Sequence, residues 1–220
     1  MITVFTPIYN RANIIGDLFK SLKRQSNKDF EWLIIDDGST DNIKQVVENF
    51  QSHNESFEIH FISKPNGGKH TCINMGTELA KGEMFFIVDS DDYITDDAID
   101  KIYKMRDDID QNGGGVPYCG VAGLRIKKDG ALMGSTFKDK TYVDATSLER
   151  EKFNINGDKA EVFFTDILRK YKFPTFDGEN FVTENVVWLQ MARDGYKIRW
   201  YNEPIYVCEY LEGGLTDLNK

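Results

Sequence analysis

Acidic residues crowd behind an apolar, strand-like run in the stretch MFFIVDSDDYITDDAID, residues 84–100. The run ends at Val88, and Asp89, Asp91 and Asp92 follow it directly. Carboxylates this close repel one another unless a cation neutralises them. An extended backbone would direct Asp89 and Asp91 to the same side, because they are two residues apart. Oxygen ligands at a strand end are typical of Mg²⁺ or Mn²⁺, whose remaining ligands are substrate phosphates.

A capping segment and a calcium-binding loop are the alternatives to such a metal site. The acids from Asp89 to Asp97 could supply turn and cap residues for the next helix, although a cap needs only one acid. A calcium-binding EF-hand loop would need Gly at its sixth position, where this chain has Ile94. The capping role therefore stays open, and the EF-hand is excluded.

Two further strand ends carry polar residues that suit a nucleotide. TPIYNR, residues 6–11, ends the first strand-like run, and there Tyr9 could stack on a base while Arg11 holds a phosphate. IIDDGSTD, residues 34–41, ends the second run, and Asp37 could accept hydrogen bonds from a ribose or a base edge. The same residues also suit a turn, a helix cap or a plain surface. If the strands are parallel, their carboxyl ends share one rim, where ligands bind.

A glycine-rich segment, PNGGKHTCINMGTELAKGE, joins the third and fourth strand-like runs. Gly67 and Gly68 would let the backbone approach a ligand closely, and Lys69 and His70 add donors near a helix start. The segment lacks the GxxxxGK[ST] spacing of a phosphate-binding P-loop. His70 by itself is more typical of a structural residue than of a base.

The order of elements predicts an α/β fold with a mainly parallel sheet flanked by helices. Strands are expected at residues 2–6, 32–35, 57–62 and 84–88, and helices at 14–22, after an N-cap at Asn13, and at 41–50. The second half predicts a hairpin of 117–128 and 132–137 around Asp129-Gly130, a helix from an N-cap at Thr183 to near Gly195, and strands at 197–201 and 205–210.

The composition limits the class of protein. With 220 residues and 40% hydrophobic content, the chain can bury the core of one large domain. Its net charge of −9 argues against a nucleic-acid partner held by a general positive field. The cysteines are widely spaced, and neither a secretory signal nor a membrane-spanning run is recognised. We expect a cytoplasmic protein, soluble or peripheral at the inner face of the cell membrane; its oligomeric state does not follow from the sequence.

Four segments, TPIYNR, IIDDGSTD, NGGKHTCINMGTELAKGE and FFIVDSDD, follow one another in an order and spacing that resembles the family 2 glycosyltransferases of the bacterial polysaccharide type. The resemblance is strongest over residues 1–110 and continues through FVTENVVWLQMARDGYKIRWYNEPIYVCEY. It implies the GT-A (nucleotide-diphospho-sugar transferase) fold in a single domain, 1–220. Residues 1–110 would form the nucleotide-sugar-binding half and 111–220 the acceptor-side half, with a further segment after Lys220.

The resemblance also implies roles for individual residues. Asp91, together with Asp92, would match the metal-binding DxD position for Mn²⁺ or Mg²⁺. Asp89 would contact the ribose or the other ligands of the metal. The residues that would contact the nucleotide part of the donor are Pro7, Tyr9, Arg11, Asp37, Gly38, Lys69, Asp89 and Ser90.

By the same resemblance, a Glu-Asp pair is usual near residue 184, and its second acid is often the general base. This chain has Glu184-Asn185 instead, so Glu184 is the acid left to remove the acceptor's proton. An acid in the first turn of a helix also stabilises that helix by about 0.3–1 kcal/mol without any catalysis. We expect Glu184 to act as the base.

These implications define an expected function. The enzyme would move a sugar from a nucleotide-diphosphate sugar, a UDP-sugar by resemblance, to a hydroxyl of a glycan or lipid-linked sugar in cell-surface polysaccharide synthesis. The transfer would need a divalent metal and would invert the anomeric carbon. A non-catalytic nucleotide-sugar-binding subunit is the alternative that Asn185 favours. A sugar-phosphate nucleotidylyltransferase is a weaker alternative, because TPIYNR lacks the expected GxGxRL-type glycines.

Overall fold

The structure is a computed structural model that describes residues 1–53 and 56–208. The strands are β1 (Ile2–Ile8), β2 (Phe30–Asp36), β3 (Glu58–Ser63), β4 (Met84–Ile87), β5 (Tyr93–Ile94), β6 (Tyr118–Lys127), β7 (Tyr142–Ala145), β8 (Lys159–Phe164) and β9 (Lys197–Cys208). The α-helices are α1 (Gly16–Arg24), α2 (Ile43–Ser52), α3 (Lys69–Leu79), α4 (Ala98–Asn112), α5 (Thr165–Leu168) and α6 (Asn185–Arg193). Short 3₁₀ helices lie at Ser147–Glu149 and Glu151–Phe153.

The strands form one sheet in the order β3-β2-β1-β4-β8-β6-β9-β5, with β7 paired to β9. β1 pairs in parallel with both β2 and β4, and β2 pairs in parallel with β3. β8 runs antiparallel to both of its neighbours, β4 and β6. The predicted α/β fold, a mixed central sheet with a parallel core and flanking helices, is confirmed.

Helices cover both faces of the sheet, because the parallel strands are apolar on both sides. On one face, α1, α2 and α4 pack on the sheet through Leu18, Val47 and Ile102. On the other, which we call the α3/α6 face, α3 and α6 pack through Ile73 and Val187. Within the described residues, no helix has the length and apolar character needed to cross a lipid bilayer.

The predicted returning strand at 132–137 is wrong. Beyond the Asp129-Gly130 turn, Leu132 forms only an isolated bridge with Ile126. β9 pairs with one edge of β6, and β8 occupies the other edge as far as Leu124. Only the last residues of β6 are therefore left for a returning strand, which is too little for a long hairpin partner.

The predicted helix caps are also wrong. α1 begins at Gly16 and α6 at Asn185, and neither has a side-chain cap hydrogen bond. Ahead of α1, the amides of residues 14 and 15 bond instead to the Arg11 carbonyl, so a turn occupies the place where Asn13 would cap. The Thr183 backbone carbonyl, not its side chain, accepts the bond from the amide of residue 186.

The last two predicted strands are one strand in the structure. β9 runs without a break from Lys197 to Cys208, and its pairing with β6 contains three register shifts. Pro204 lies within it, paired to Leu124 next to a register shift, where an irregular ladder tolerates a missing donor. Residues 209 and 210 of the predicted strand, and the expected segment after Lys220, lie outside the described residues.

Candidate active site

The carboxyl ends of β1, β2 and β4 lie side by side at one edge of the sheet. Their parallel registers align Ile8 with Asp36 and Phe5 with Ile87. The polar segments that follow these strands therefore form one rim, in the place where open α/β sheets bind ligands.

Asp37 lies at the tip of β2 and fastens the glycine-rich segment. It is only 5% exposed, and its carboxylate accepts hydrogen bonds from the amides of Gly67 at 3.0 Å and Gly68 at 2.8 Å. Lys64 forms an ion pair with the same carboxylate. Gly38 follows at a φ of +79°, which a residue with a side chain rarely adopts. Asp37 thus shapes the rim, and its predicted contact with the nucleotide stays a prediction.

Tyr9 and Arg11 follow β1 and are held by a bridge to the β2 tip. Asn10, between them, adopts a φ of +52°. Its amide donates to the Ser39 hydroxyl at 2.8 Å, and its Oδ1 accepts from the Thr40 amide at 2.8 Å. The bridge leaves Tyr9 49% exposed, as stacking on a base would require.

The DSDD segment after β4 is anchored by Tyr206 on β9. The Tyr206 hydroxyl accepts a hydrogen bond from the Asp89 amide at 3.1 Å and donates one to Asp92 Oδ2 at 2.8 Å. Asp92 and Ser90 are buried, whereas Asp91 is partly exposed. Asp92 therefore has a protein partner already. Pro7 lies further back, inside β1, and is partly exposed.

Asp91 has the chemistry to hold a divalent cation. Within the described residues no cationic side chain forms an ion pair with it, although the charges of Arg11 and Lys69 act on it from a distance. Burial and the neighbouring charge of Asp89 raise the pKa of the Asp91 carboxyl, so its negative charge is incompletely compensated. A single carboxylate completed by substrate phosphates is the usual way in which proteins bind Mg²⁺.

Lys69, the first residue of α3, links the two halves of the chain. Its ammonium lies 2.7 Å from Asp89 Oδ1 and 2.8 Å from Glu184 Oε1. Burial opposes the charge of Lys69, but the two carboxylates raise its pKa. Burial likewise opposes the charge of Asp89, yet Lys69 holds the pKa of that carboxyl below its usual value. The candidate base, directly before α6, thus lies beside the acidic segment.

The glycine-rich segment packs closely against the loop that leads to Glu184. Gly68 has a φ of +88°, and an added Cβ would lie 2.0 Å from the carbonyl oxygen of Asn180. His70 is 1% exposed, and its Nδ1 has no hydrogen-bond partner among the residues that the structure describes. Burial lowers the pKa of His70. The buried position of His70 fits the predicted structural role. At position 68, the positive φ and the close approach to Asn180 require glycine.

A cluster of ligand-type side chains lies elsewhere and was not predicted. Glu31, Glu58 and His60 bring their ligand atoms within 4.8 Å of one another, at the ends of β2 and β3 opposite the rim. Lys81 Nζ lies 2.9 Å from Glu58 Oε2. Because a protein cation already neutralises this group, we interpret it as an ion-pair cluster and not as a metal centre.

Sequence reasoning missed three residues that shape the rim: Asn10, Arg125 and Tyr206. Asn10 carried a usable signal, because asparagine tolerates positive φ better than most residues. Tyr206 is 114 residues from the Asp92 that it binds, so no local pattern could indicate it. The guanidinium of Arg125, on β6, lies over the Tyr206 ring at 4.3 Å from its centroid. This contact also joins residues that are distant in the sequence, so no local pattern could indicate it.

The family model for glycosyl transferase family 2 matches residues 3–171. The match covers most of the chain and includes all the strand-end segments of the rim. This protein therefore belongs to glycosyl transferase family 2 and is an enzyme of the glycosyltransferase class. Glu184 lies beyond the matched range.

Relatives and solved structures agree with this assignment. An uncharacterized glycosyltransferase of Haemophilus influenzae is 27% identical over 184 residues, which cover 78% of this chain and 73% of that protein. A GalNAc(5)-diNAcBac-PP-undecaprenol beta-1,3-glucosyltransferase of Campylobacter jejuni is 25% identical over 202 residues, 88% of this chain and 60% of that protein. S. aureus TarS 1-349 in complex with UDP-GlcNAc superposes with a TM-score of 0.76 at 22% identity, covering 98% of this chain and 60% of that one. The TarS similarity shows a shared GT-A fold.

Proposed function

We propose that this enzyme transfers a sugar from a UDP-sugar to a hydroxyl of a glycan or lipid-linked sugar, with inversion, in cell-surface polysaccharide synthesis. The observation that carries the proposal is the pair of contacts of Lys69, 2.7 Å to Asp89 and 2.8 Å to Glu184. Through these contacts, Asp89 on the donor side and the candidate base Glu184 both lie next to the Lys69 ammonium. UDP-GlcNAc bound to TarS supports the class of donor, and the undecaprenol-linked substrate named for the Campylobacter enzyme supports the class of acceptor.

In this proposal the donor lies across the rim. The base and ribose contact the tips of β1 and β2, and the diphosphate lies at the DSDD segment. The residues assigned to the nucleotide part are Pro7, Tyr9, Arg11, Asp37, Gly38, Lys69, Asp89 and Ser90. Residues 1–110 thus form the half that binds the nucleotide sugar through its UDP part, and residues 111–220 form the acceptor-side half, in one domain that works in the cytoplasm or at the inner face of the membrane.

The proposal includes Mn²⁺ or Mg²⁺. Asp91 would hold the ion together with the carboxylate of Asp92, which also accepts a hydrogen bond from Tyr206. When bound, a divalent cation offsets the charge that develops on the departing diphosphate, an effect worth several kcal/mol. Arg11 and Lys69 bring the protein's own positive charge to the same place.

In the transfer step, Glu184 removes the proton of the acceptor hydroxyl. The acceptor oxygen forms a bond to the anomeric carbon on the face opposite the diphosphate, and the bond from that carbon to the phosphate oxygen breaks with its electron pair. The acceptor's proton passes to the Glu184 carboxylate. Direct displacement of this kind inverts the anomeric carbon. Lys69, 2.8 Å from Glu184 Oε1, positions the carboxylate for this task.

Calorimetry of UDP binding tests the donor and metal parts of the proposal. We expect wild-type protein to bind UDP at least about 10-fold more tightly with Mn²⁺ than without it, because the ion joins carboxylate and diphosphate. Asp91→Asn should remove most of that difference.

Asp110→Asn, an exposed acid on α4, is the matched control and should bind like wild type. Equal affinities with and without Mn²⁺ in all three proteins would contradict the proposal.

A further inference from the structure

We infer that Glu161 on β8 recognises the sugar part of the donor by accepting hydrogen bonds from its hydroxyl groups. The inference rests on the proposed function and deepens it, because it assigns a residue that selects the sugar. It comes from the order of the strands, the face of the sheet on which Glu161 lies, and the lack of a protein partner for its carboxylate among the described residues.

The order of the strands places β8 where the sugar of the donor would lie. The sheet runs β2-β1-β4-β8-β6, with Asp37 at the tip of β2, Tyr9 after β1 and Asp91 after β4. Adjacent strands are about 4.8 Å apart. A donor with its base over β2 and β1 and its diphosphate at β4 therefore extends its sugar over β8 and β6.

Glu161 lies on the face of β8 that carries the candidate base. It pairs with Ala122 of β6, and Ala122 and Phe163 both belong to the α3/α6 face. The indole of Trp188 in α6 packs on the Phe163 ring at 4.3 Å, so α6 covers β8 at that level. Because β8 runs antiparallel to β4, Glu161 lies nearer the rim than Phe163 does.

The Glu161 carboxylate has no hydrogen-bond or ion-pair partner in another residue within 1–53 and 56–208. Arg125 and Arg150 influence it electrostatically, but their Nε groups donate to the Lys159 carbonyl at 2.9 Å and the Ile155 carbonyl at 3.1 Å. Burial raises the pKa of Glu161. A partly buried carboxylate without hydrogen-bond donors lowers the stability of the fold, and in a central strand an apolar residue would pack better.

Sugar hydroxyls supply the donors that the Glu161 carboxylate lacks. The residue remains partly exposed, and Asp89, which also interacts with Arg125, lies on the neighbouring strand end. A site built to bind a hydroxyl rejects an analogue that does not offer one in the same place, because its own polar group is then left unpaired. Glu161 is therefore a specificity-determining residue for the transferred sugar.

Calorimetry with Mn²⁺ present tests the inference by comparing UDP with UDP-glucose, UDP-galactose, UDP-GlcNAc and UDP-GalNAc. Glu161→Leu and Glu161→Gln should bind UDP as wild type does. For the UDP-sugar that wild type binds most tightly, we expect Glu161→Leu to lose about 10-fold or more in affinity, the usual effect of removing a charged hydrogen-bond partner. Glu161→Gln, which keeps an acceptor oxygen, should lose less.

Glu48→Gln, an exposed acid on α2, is the control for the change of charge. Thermal unfolding should show both Glu161 variants folded, with Glu161→Leu at least as stable as wild type. The inference is overturned if UDP and the UDP-sugar lose affinity equally, or if neither does. Should wild-type protein bind no UDP at all, the proposed function fails as well, so the two failures are distinguishable.

Discussion

At the scale of single residues, Asp37 has a structural role that the structure shows and a ligand-binding role that we propose. Its buried carboxylate holds the amides of Gly67 and Gly68, and those residues lead directly into Lys69. A change at Asp37 is therefore expected to reach Lys69 through the backbone, in addition to removing the proposed contact with the nucleotide.

Asp37→Ala should weaken UDP binding about 10-fold or more while the chain still unfolds in one cooperative transition. Loss of its hydrogen bonds costs about 1–3 kcal/mol, which one large domain tolerates. Tyr9→Ala should weaken UDP binding with no loss of stability, because Tyr9 is 49% exposed. Calorimetry and thermal unfolding measure both effects.

Asp17→Ala, an exposed acid on α1, is the control for these variants. If either Asp37→Ala or Tyr9→Ala loses its cooperative transition, that residue is part of the core and the donor site has been placed wrongly at that point.

The sequence indicates individual rim residues where their chemistry is local. Asp89, Asp91 and Asp37 stand out because polar residues directly follow apolar runs, and the structure brings their strand ends together. The residues that hold these acids in place cannot be predicted from local sequence in the same way. Tyr206 and Asn10 act through partners on other strands, so only the folded chain shows them.

At the scale of elements, the parallel core is readable because each strand is a short apolar run followed by turn residues. β8 is not readable in this way, since Lys159 and Glu161 interrupt its apolar pattern. Yet β8 lies in the centre of the sheet, between β4 and β6. Its two charged residues are an exception to strand patterning, and such exceptions tend to occur at functional sites.

Tyr206→Phe tests how β9 supports the DSDD segment. The variant loses the hydrogen bonds to Asp92 and from the Asp89 amide, so the segment should hold the metal less well. We expect the Mn²⁺-dependent part of UDP affinity to fall about 5- to 10-fold, with a loss of about 1–2 kcal/mol in the free energy of unfolding. Mn²⁺ titration of UDP binding and urea unfolding measure the two effects.

Tyr201→Phe is a closely matched control, because Tyr201 lies on the same strand and donates to Asp108 at 2.6 Å, away from the rim. It should lose similar stability and keep the Mn²⁺ effect. The same change in Mn²⁺ dependence for both variants would show that Tyr206 acts only through general stability.

At the scale of the whole molecule, buried Arg199 ties β9 to elements on either side of residue 110. Arg199 on β9 is 1% exposed and forms ion pairs with Asp108 at 3.0 Å and Asp144 at 2.8 Å. These contacts tie β9 to α4 and β7, in residues that show no sequence motif. The relation between the halves therefore could not be predicted from the sequence.

The meeting of the halves at Lys69 is the centre of this account, because it brings Glu184 of the second half to Asp89 of the first. Glu184→Gln keeps the shape of the side chain and removes its basicity. If Glu184 removes the acceptor's proton, this change should slow sugar transfer and leave donor binding intact. Glu179→Gln, an acid in the preceding loop, is the matched control.

The most direct measurement is the rate of sugar transfer from the preferred UDP-sugar to its acceptor, at saturating donor and Mn²⁺, for wild type, Glu184→Gln and Glu179→Gln. Glu184→Gln should be slower than wild type by about 10² to 10⁴, with unchanged affinity for the UDP-sugar, and Glu179→Gln should match wild type. Transfer by Glu184→Gln at the wild-type rate would contradict the account; slow transfer by Glu179→Gln in the same assay would then assign the base to Glu179, and a wild-type rate for both variants would direct the search to Asp177.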